Sequence, residues 1–106
     1  MIDIDNLKQV FKYQMQNLYG DELDRIILFG SYARGDYNEH SDVDLMVVLK
    51  KDNLSVFREI RKIHRINSQL NIDYNNVISV MPVSLNHYLN YSSGFFENVK
   101  EEGVEV

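Results

Sequence analysis

Apolar residues Leu7, Val10, Phe11, Met15 and Leu18 recur three and four positions apart near the start of the chain. That is the spacing of one helix face, and it predicts a helix over residues 5–19. Asp3 or Asp5 stands where an N-cap belongs, and Gly20 lies just past the end. Residues 25–29 and 43–49 are short, β-rich apolar runs. The second, Val43 to Leu49, lacks polar alternation after Asp44, as expected of a strand covered on both faces. A short helix is expected between them, after Gly30. Helical period returns over 54–70 through Phe57, Ile60, Ile63, Ile66 and Leu70, with the basic side chains opposite. Residues 77–81 read as a third strand, and Pro82 puts it at an edge or ends it there. Ser84 caps a short helix to about Asn90, and residues 94–102 form another, closed by Gly103. Strands alternating with helices in this order predict an α/β fold, a small sheet layered with helices.

At 106 residues the chain suits one domain, spanning 1–106. No linker, repeat or low-complexity stretch divides it. With 44% hydrophobic and 25% charged residues the composition is that of an ordinary globular protein. There is no cysteine, which excludes disulfides, thiolate zinc sites and cysteine nucleophiles. No apolar run approaches the ~20 residues that span a bilayer, and the acidic start differs from a signal peptide. A cytoplasmic protein is expected. The net charge of -5 is unevenly spread: of 11 bases, Lys50, Lys51, Arg58, Arg61, Lys62 and Arg65 fall within one segment. Such a globally acidic chain is not a general nucleic-acid binder. Its basic segment reads as a solvated helix face, with an acidic partner or a phosphate as the alternative.

The stretch from Gly30 to Leu45 carries the candidate chemistry. A strand ending in Gly30-Ser31 and turning into a helix presents unpaired backbone N–H groups, a place for an anion. Gly30 has no Cβ to hold a phosphate away, Ser31 adds a hydroxyl donor, and Arg34 follows one turn later. Alone, this is more often an ordinary N-cap. Asp42 and Asp44 add to it, because residues i and i+2 of a strand point to one face, roughly 6.5–7 Å apart. Two carboxylates at the mouth of a buried strand are costly unless cations screen them. Mg²⁺ accepts carboxylate oxygens while keeping positions open for substrate phosphates, and two such ions can serve an in-line phosphoryl displacement.

Gly30-Ser31, ten intervening residues and Asp42-Val43-Asp44 resemble the signature of the DNA polymerase β-like nucleotidyltransferase superfamily. Gly-Ser-Tyr-Ala-Arg-Gly and Ser-Asp-Val-Asp-Leu are similar to the minimal nucleotidyltransferases, the MntA-type antitoxins encoded with HEPN-domain toxins. The resemblance is strong over the motif and extends at low resolution over residues 24–83. The first helix and the C-terminal region carry no matching signature. The resemblance implies the minimal nucleotidyltransferase fold with a small mixed sheet. It implies that Gly30 and Ser31 hold the triphosphate of ATP, with Arg34 near the phosphates, and that Asp42 and Asp44 bind two Mg²⁺ ions. It also implies transfer of AMP to a tyrosine of a HEPN toxin, with release of pyrophosphate. Such families usually add a third carboxylate from the next strand. Asp73 is the acid available for that catalytic and metal-binding position; if Asn75 occupies it instead, the site keeps two carboxylates. Two rival readings stand beside this one: an antitoxin that neutralises its partner by binding alone, and an enzyme whose acceptor is an antibiotic or a nucleic-acid end.

The other candidates are weaker. His40, His64 and His87 are too dispersed for a local zinc pattern and read as surface or core imidazoles. Tyr88, Tyr91, Phe95 and Phe96 read as packing residues, or as a partner surface if exposed. Lys50 and Lys51 follow the second strand, either as plain loop or near phosphates.

Overall fold

Asp3 accepts a hydrogen bond from the Asn6 amide at 3.1 Å, and the first helix, α1 (Ile4–Tyr19), starts there. The computed structural model describes residues 2–106. A 3₁₀ turn (Gly20–Glu22) leads into strand β1 (Leu23–Phe29), the short helical turn α2 (Ser31–Arg34) and strand β2 (Val43–Leu49). Helix α3 (Val56–Tyr74), strand β3 (Ile78–Ser84), helices α4 (Leu85–Asn90) and α5 (Gly94–Glu102) and strand β4 (Val104–Glu105) complete the chain. Ser55, Ser84 and Ser93 cap α3, α4 and α5, each hydroxyl accepting from a backbone amide of the first turn.

The strands form one mixed sheet in the order β3-β2-β1-β4. β1 runs antiparallel to β2 and β4, and β2 runs parallel to β3 across the α3 connection. Helices α1 and α3 cover one face, where Leu7, Phe11 and Met15 meet Val43, Leu45, Val47 and Leu49. Helices α4 and α5 cover the other, where Tyr88, Phe96 and Val99 meet Ile27, Met46 and Val48. β2 is thus buried on both faces, which is why its sequence is an uninterrupted apolar run. Pro82 lies on the edge strand β3, where a missing N–H costs no ladder bond. Among the described residues no helix is long and apolar enough to cross a membrane.

Three expectations need correction. α3 does not end near Leu70 but continues to Tyr74, stopped by Asn75 in the left-handed region at φ 49°. Its apolar residues are not all turned inward: Phe57 is 77% and Ile60 42% exposed, whereas Glu59 is 2% exposed. The inward row is Glu59, Ile63 and Leu70. Glu59 is tolerated there because Tyr19 donates to it at 3.0 Å while Lys51 and Lys62 lie 3.3 and 3.7 Å away. Finally, β4 was not expected; two residues are too few to show a periodicity.

Candidate active site

Because β1 and β2 are antiparallel, the end of one and the head of the other lie at the same end of the sheet, with Phe29 opposite Asp44. Gly30 then turns the chain at φ 75°, a conformation that favours glycine. A Cβ at this position would collide with the Asp44 carboxylate. The bare backbone at residue 30 therefore makes room for the acid itself, a second reason for glycine beside the phosphate approach read from sequence. Ser31 opens α2, whose Ala33 and Arg34 amides both donate to the Gly30 carbonyl at 3.1 Å. The connection to β2 is pinned by a small turn: the Asn38 amide donates to Ser41 Oγ at 2.9 Å, and the His40 amide to Asn38 Oδ1 at 2.8 Å. Val43, fully buried and bonded through its amide to the Val77 carbonyl at 2.9 Å, anchors the strand head. Asp42 and Asp44 flank it and share the opposite face.

These residues line one side of a cavity of about 480 Å³. Gly30, Ser31, Arg34, Ser41, Asp42 and Asp44 form its polar end, while Phe29 and α5 form the rest. Arg34 is held by two carboxylates, Asp36 at 3.2 Å and Glu102 at 3.5 Å. Burial pushes the half-buried Asp44 carboxyl above the ordinary carboxylate value; the neighbouring Asp42 charge adds to this and Arg34 opposes it. A cation between the two acids would reverse that cost. Paired hard oxygen donors beside a polar turn fit Mg²⁺, which keeps several of its positions for water and phosphate oxygens. Among the described residues no three His, Cys, Asp or Glu side chains come together as a metal-ligand group.

The structure brings Gly30, Ser31, Arg34, Asp42 and Asp44 together and leaves Asp73 outside. Asp73 is in the last turn of α3, accepting from Gln69 Nε2 at 2.8 Å, and does not line the cavity. Asn75 is the helix cap. Neither stands on β3, because the helix runs on past Leu70 to Tyr74, which packs on the core one turn later. Strand β3 carries no acid, and its residue beside Asp44 in the ladder is Ser79. His40 is exposed and pairs with Glu39. Lys50 and Lys51 follow the opposite end of β2 from Asp44, and Lys51 is engaged by Glu59. Sequence reasoning missed the wall that α5 supplies: Phe95, Asn98, Val99 and Glu102. Their i, i+3, i+4, i+7 spacing marks one helix face, and that was the available signal.

A nucleotidyltransferase domain model matches residues 8–92. Two Methanocaldococcus jannaschii proteins named as inferred protein adenylyltransferases are similar to this chain. MJ0141 is 38% identical over 105 residues, covering 99% of this chain and 100% of the relative. MJ0604 is 38% identical over 96 residues, covering 88% and 87%. Among solved structures, a Sulfolobus solfataricus protein described as an inferred nucleotidyltransferase superposes with a TM-score of 0.64 at 21% identity, over 93% of this chain and 74% of that one. A toxin–antitoxin structure with AMP-PNP gives 0.58 at 19%, over 89% and 68%. An MntA-HpeT toxin–antitoxin variant carrying two aspartate-to-glutamate exchanges gives 0.56 at 15%, over 90% and 68%. At these identities the superpositions speak to the fold alone, which they share. The match over most of the sequence and the full-length relatives agree with the cavity: this chain belongs to the nucleotidyltransferase domain family.

Proposed function

We propose that this protein transfers AMP from ATP to a tyrosine hydroxyl of a HEPN-type toxin, and so acts as its antitoxin. The observation that carries the reading is the Asp44 carboxylate packed against the glycine of the Gly30-Ser31 turn, with Asp42 beside it. Asp42 and Asp44 would hold Mg²⁺, which when bound neutralises phosphate charge and favours attack at the α-phosphorus. The Ser31 hydroxyl and the amides heading α2 bind phosphate oxygens. Arg34 exchanges its surface carboxylates for the β- and γ-phosphates, where its planar guanidinium can engage two oxygens at once. The tyrosine oxygen bonds to the α-phosphorus, the bond to the bridging oxygen breaks, and pyrophosphate leaves. The hydroxyl proton goes to a cavity carboxylate or to water. Support comes from the relatives named for protein adenylylation. It comes also from toxin–antitoxin neighbours that share the fold, one solved with an ATP analogue and one with a pair of aspartates exchanged.

The test is incubation of the chain with α-labelled ATP, Mg²⁺ and a HEPN-type partner, followed by peptide mapping. Label on a partner tyrosine, absent with the Asp42→Asn variant, is the expected result. A tight complex without label would favour the second reading, an antitoxin that works by binding. The position of Asp73 outside the cavity, with no acid on β3 beside Asp44, is the observation in favour of that alternative.

A further inference from the structure

We infer that the α5 wall of the cavity is a nucleobase subsite, with Phe95 as the stacking surface and Asn98 as the reader of the base edge. This rests on the proposed binding of a nucleoside triphosphate in the same cavity. The polar end explains phosphates and cations but leaves the other end without a role. There, Phe95 is 44% exposed although it lies inside a concavity, the placement of an aromatic awaiting a flat partner. Its ring is braced by two near-perpendicular neighbours, Phe29 at 5.7 Å and Phe96 at 5.3 Å between centroids. Stacking on a fixed ring costs little ordering.

The helix is fixed as well. Buried Val99 seats it on the sheet, Gly103 donates to the Val99 carbonyl at 2.8 Å, and β4 then pairs with Ile27 and Leu28 of β1. Phe95 and Asn98, three residues apart, present an aromatic ring and an amide from the same helix face. An amide offers one donor and one acceptor side by side. Along the N7 edge, which the subsite is inferred to read, adenine displays that pair in complementary form at N6 and N7, whereas guanine shows two acceptors at O6 and N7. The subsite therefore prefers adenine to guanine nucleotides, and the triphosphate then points toward Ser31 and the paired aspartates.

Calorimetric titration with Mg²⁺ complexes of ATP, GTP and inorganic tripolyphosphate tests this on the full chain. Phe95→Ala should weaken ATP and GTP roughly 5- to 150-fold, the span of base–aromatic stacking, and leave tripolyphosphate unchanged. Phe95→Tyr should bind like wild type. Asn98→Ala should bring the ATP to GTP ratio toward one, and it provides an independent readout if Phe95→Ala melts early. Unchanged ATP affinity in Phe95→Ala, or equal losses of ATP and tripolyphosphate, would overturn the subsite. Wild-type protein that binds tripolyphosphate as tightly as ATP would also remove it while sparing the phosphate end. Wild-type protein that binds none of the three would remove the proposed function itself.

Discussion

Asp44 faces two demands that oppose each other. Burial and the Asp42 charge disfavour its ionised form in the native protein, so the native state holds the proton to higher pH than the unfolded chain does. Stability therefore falls as pH rises through the interval that opens upward from the ordinary value of 3.8. Asp44→Asn should melt with wild type in strong acid and above it as pH climbs toward neutrality, a gap that scanning calorimetry along a pH series would measure. The same variant should lose roughly a hundredfold or more of AMP transfer. A variant that is both less stable and fully active would contradict the placement of this acid. Gly30, Ser31, Asp42 and Asp44 were legible in the sequence because one turn and one strand pairing bring them together. Asp73 was misread because the signs that the helix continues are slight: Tyr74, four residues past Leu70 and packed on the core, and Asn75 as the left-handed cap. Phe95 and Asn98 stayed hidden because only the packing of α5 against β1 brings them to the cavity.

Among the elements, α3 is the instructive case. Its outer face carries exposed Arg58, Arg61 and Arg65, as the charge pattern suggested, but its inner face includes an acid that no hydrophobic period foretells. Burial alone would raise Glu59; the Tyr19 hydroxyl and the Lys51 and Lys62 charges outweigh it and hold the carboxyl below 4.5. Its contribution is thus present above that value and lost as pH falls through the native one. Glu59→Gln should cost about 1–3 kcal/mol near neutral pH, with the deficit closing in acid, and should leave nucleotide affinity unchanged; denaturant titration and ATP binding would check both. Strand and helix identities were otherwise readable from period and caps. The short β4 was not, since its pairing depends on a β1 edge more than seventy residues away in sequence.

For the whole molecule, the order β3-β2-β1-β4 means that the last strand ties α5 to the sheet across from the aspartates. Deleting residues 104–106 should weaken ATP binding several-fold, because the Val106 amide bond to the Ile26 carbonyl at 2.9 Å and the β4 ladder are lost together. Tripolyphosphate binding should hold, as titration of the two ligands would show. The α/β class followed from alternating periods and the mixed sheet from the family resemblance, whereas the neighbour order followed only from folding. Strand β2 has Asp44 near its head, while the Tyr19–Glu59–Lys51 knot closes around the segment after its foot. Novelty and durability are thereby assigned to separate addresses on one beam. A lineage can retool the head for a new acceptor, or let its chemistry lapse into mere adhesion, while the foot goes on keeping the protein intact.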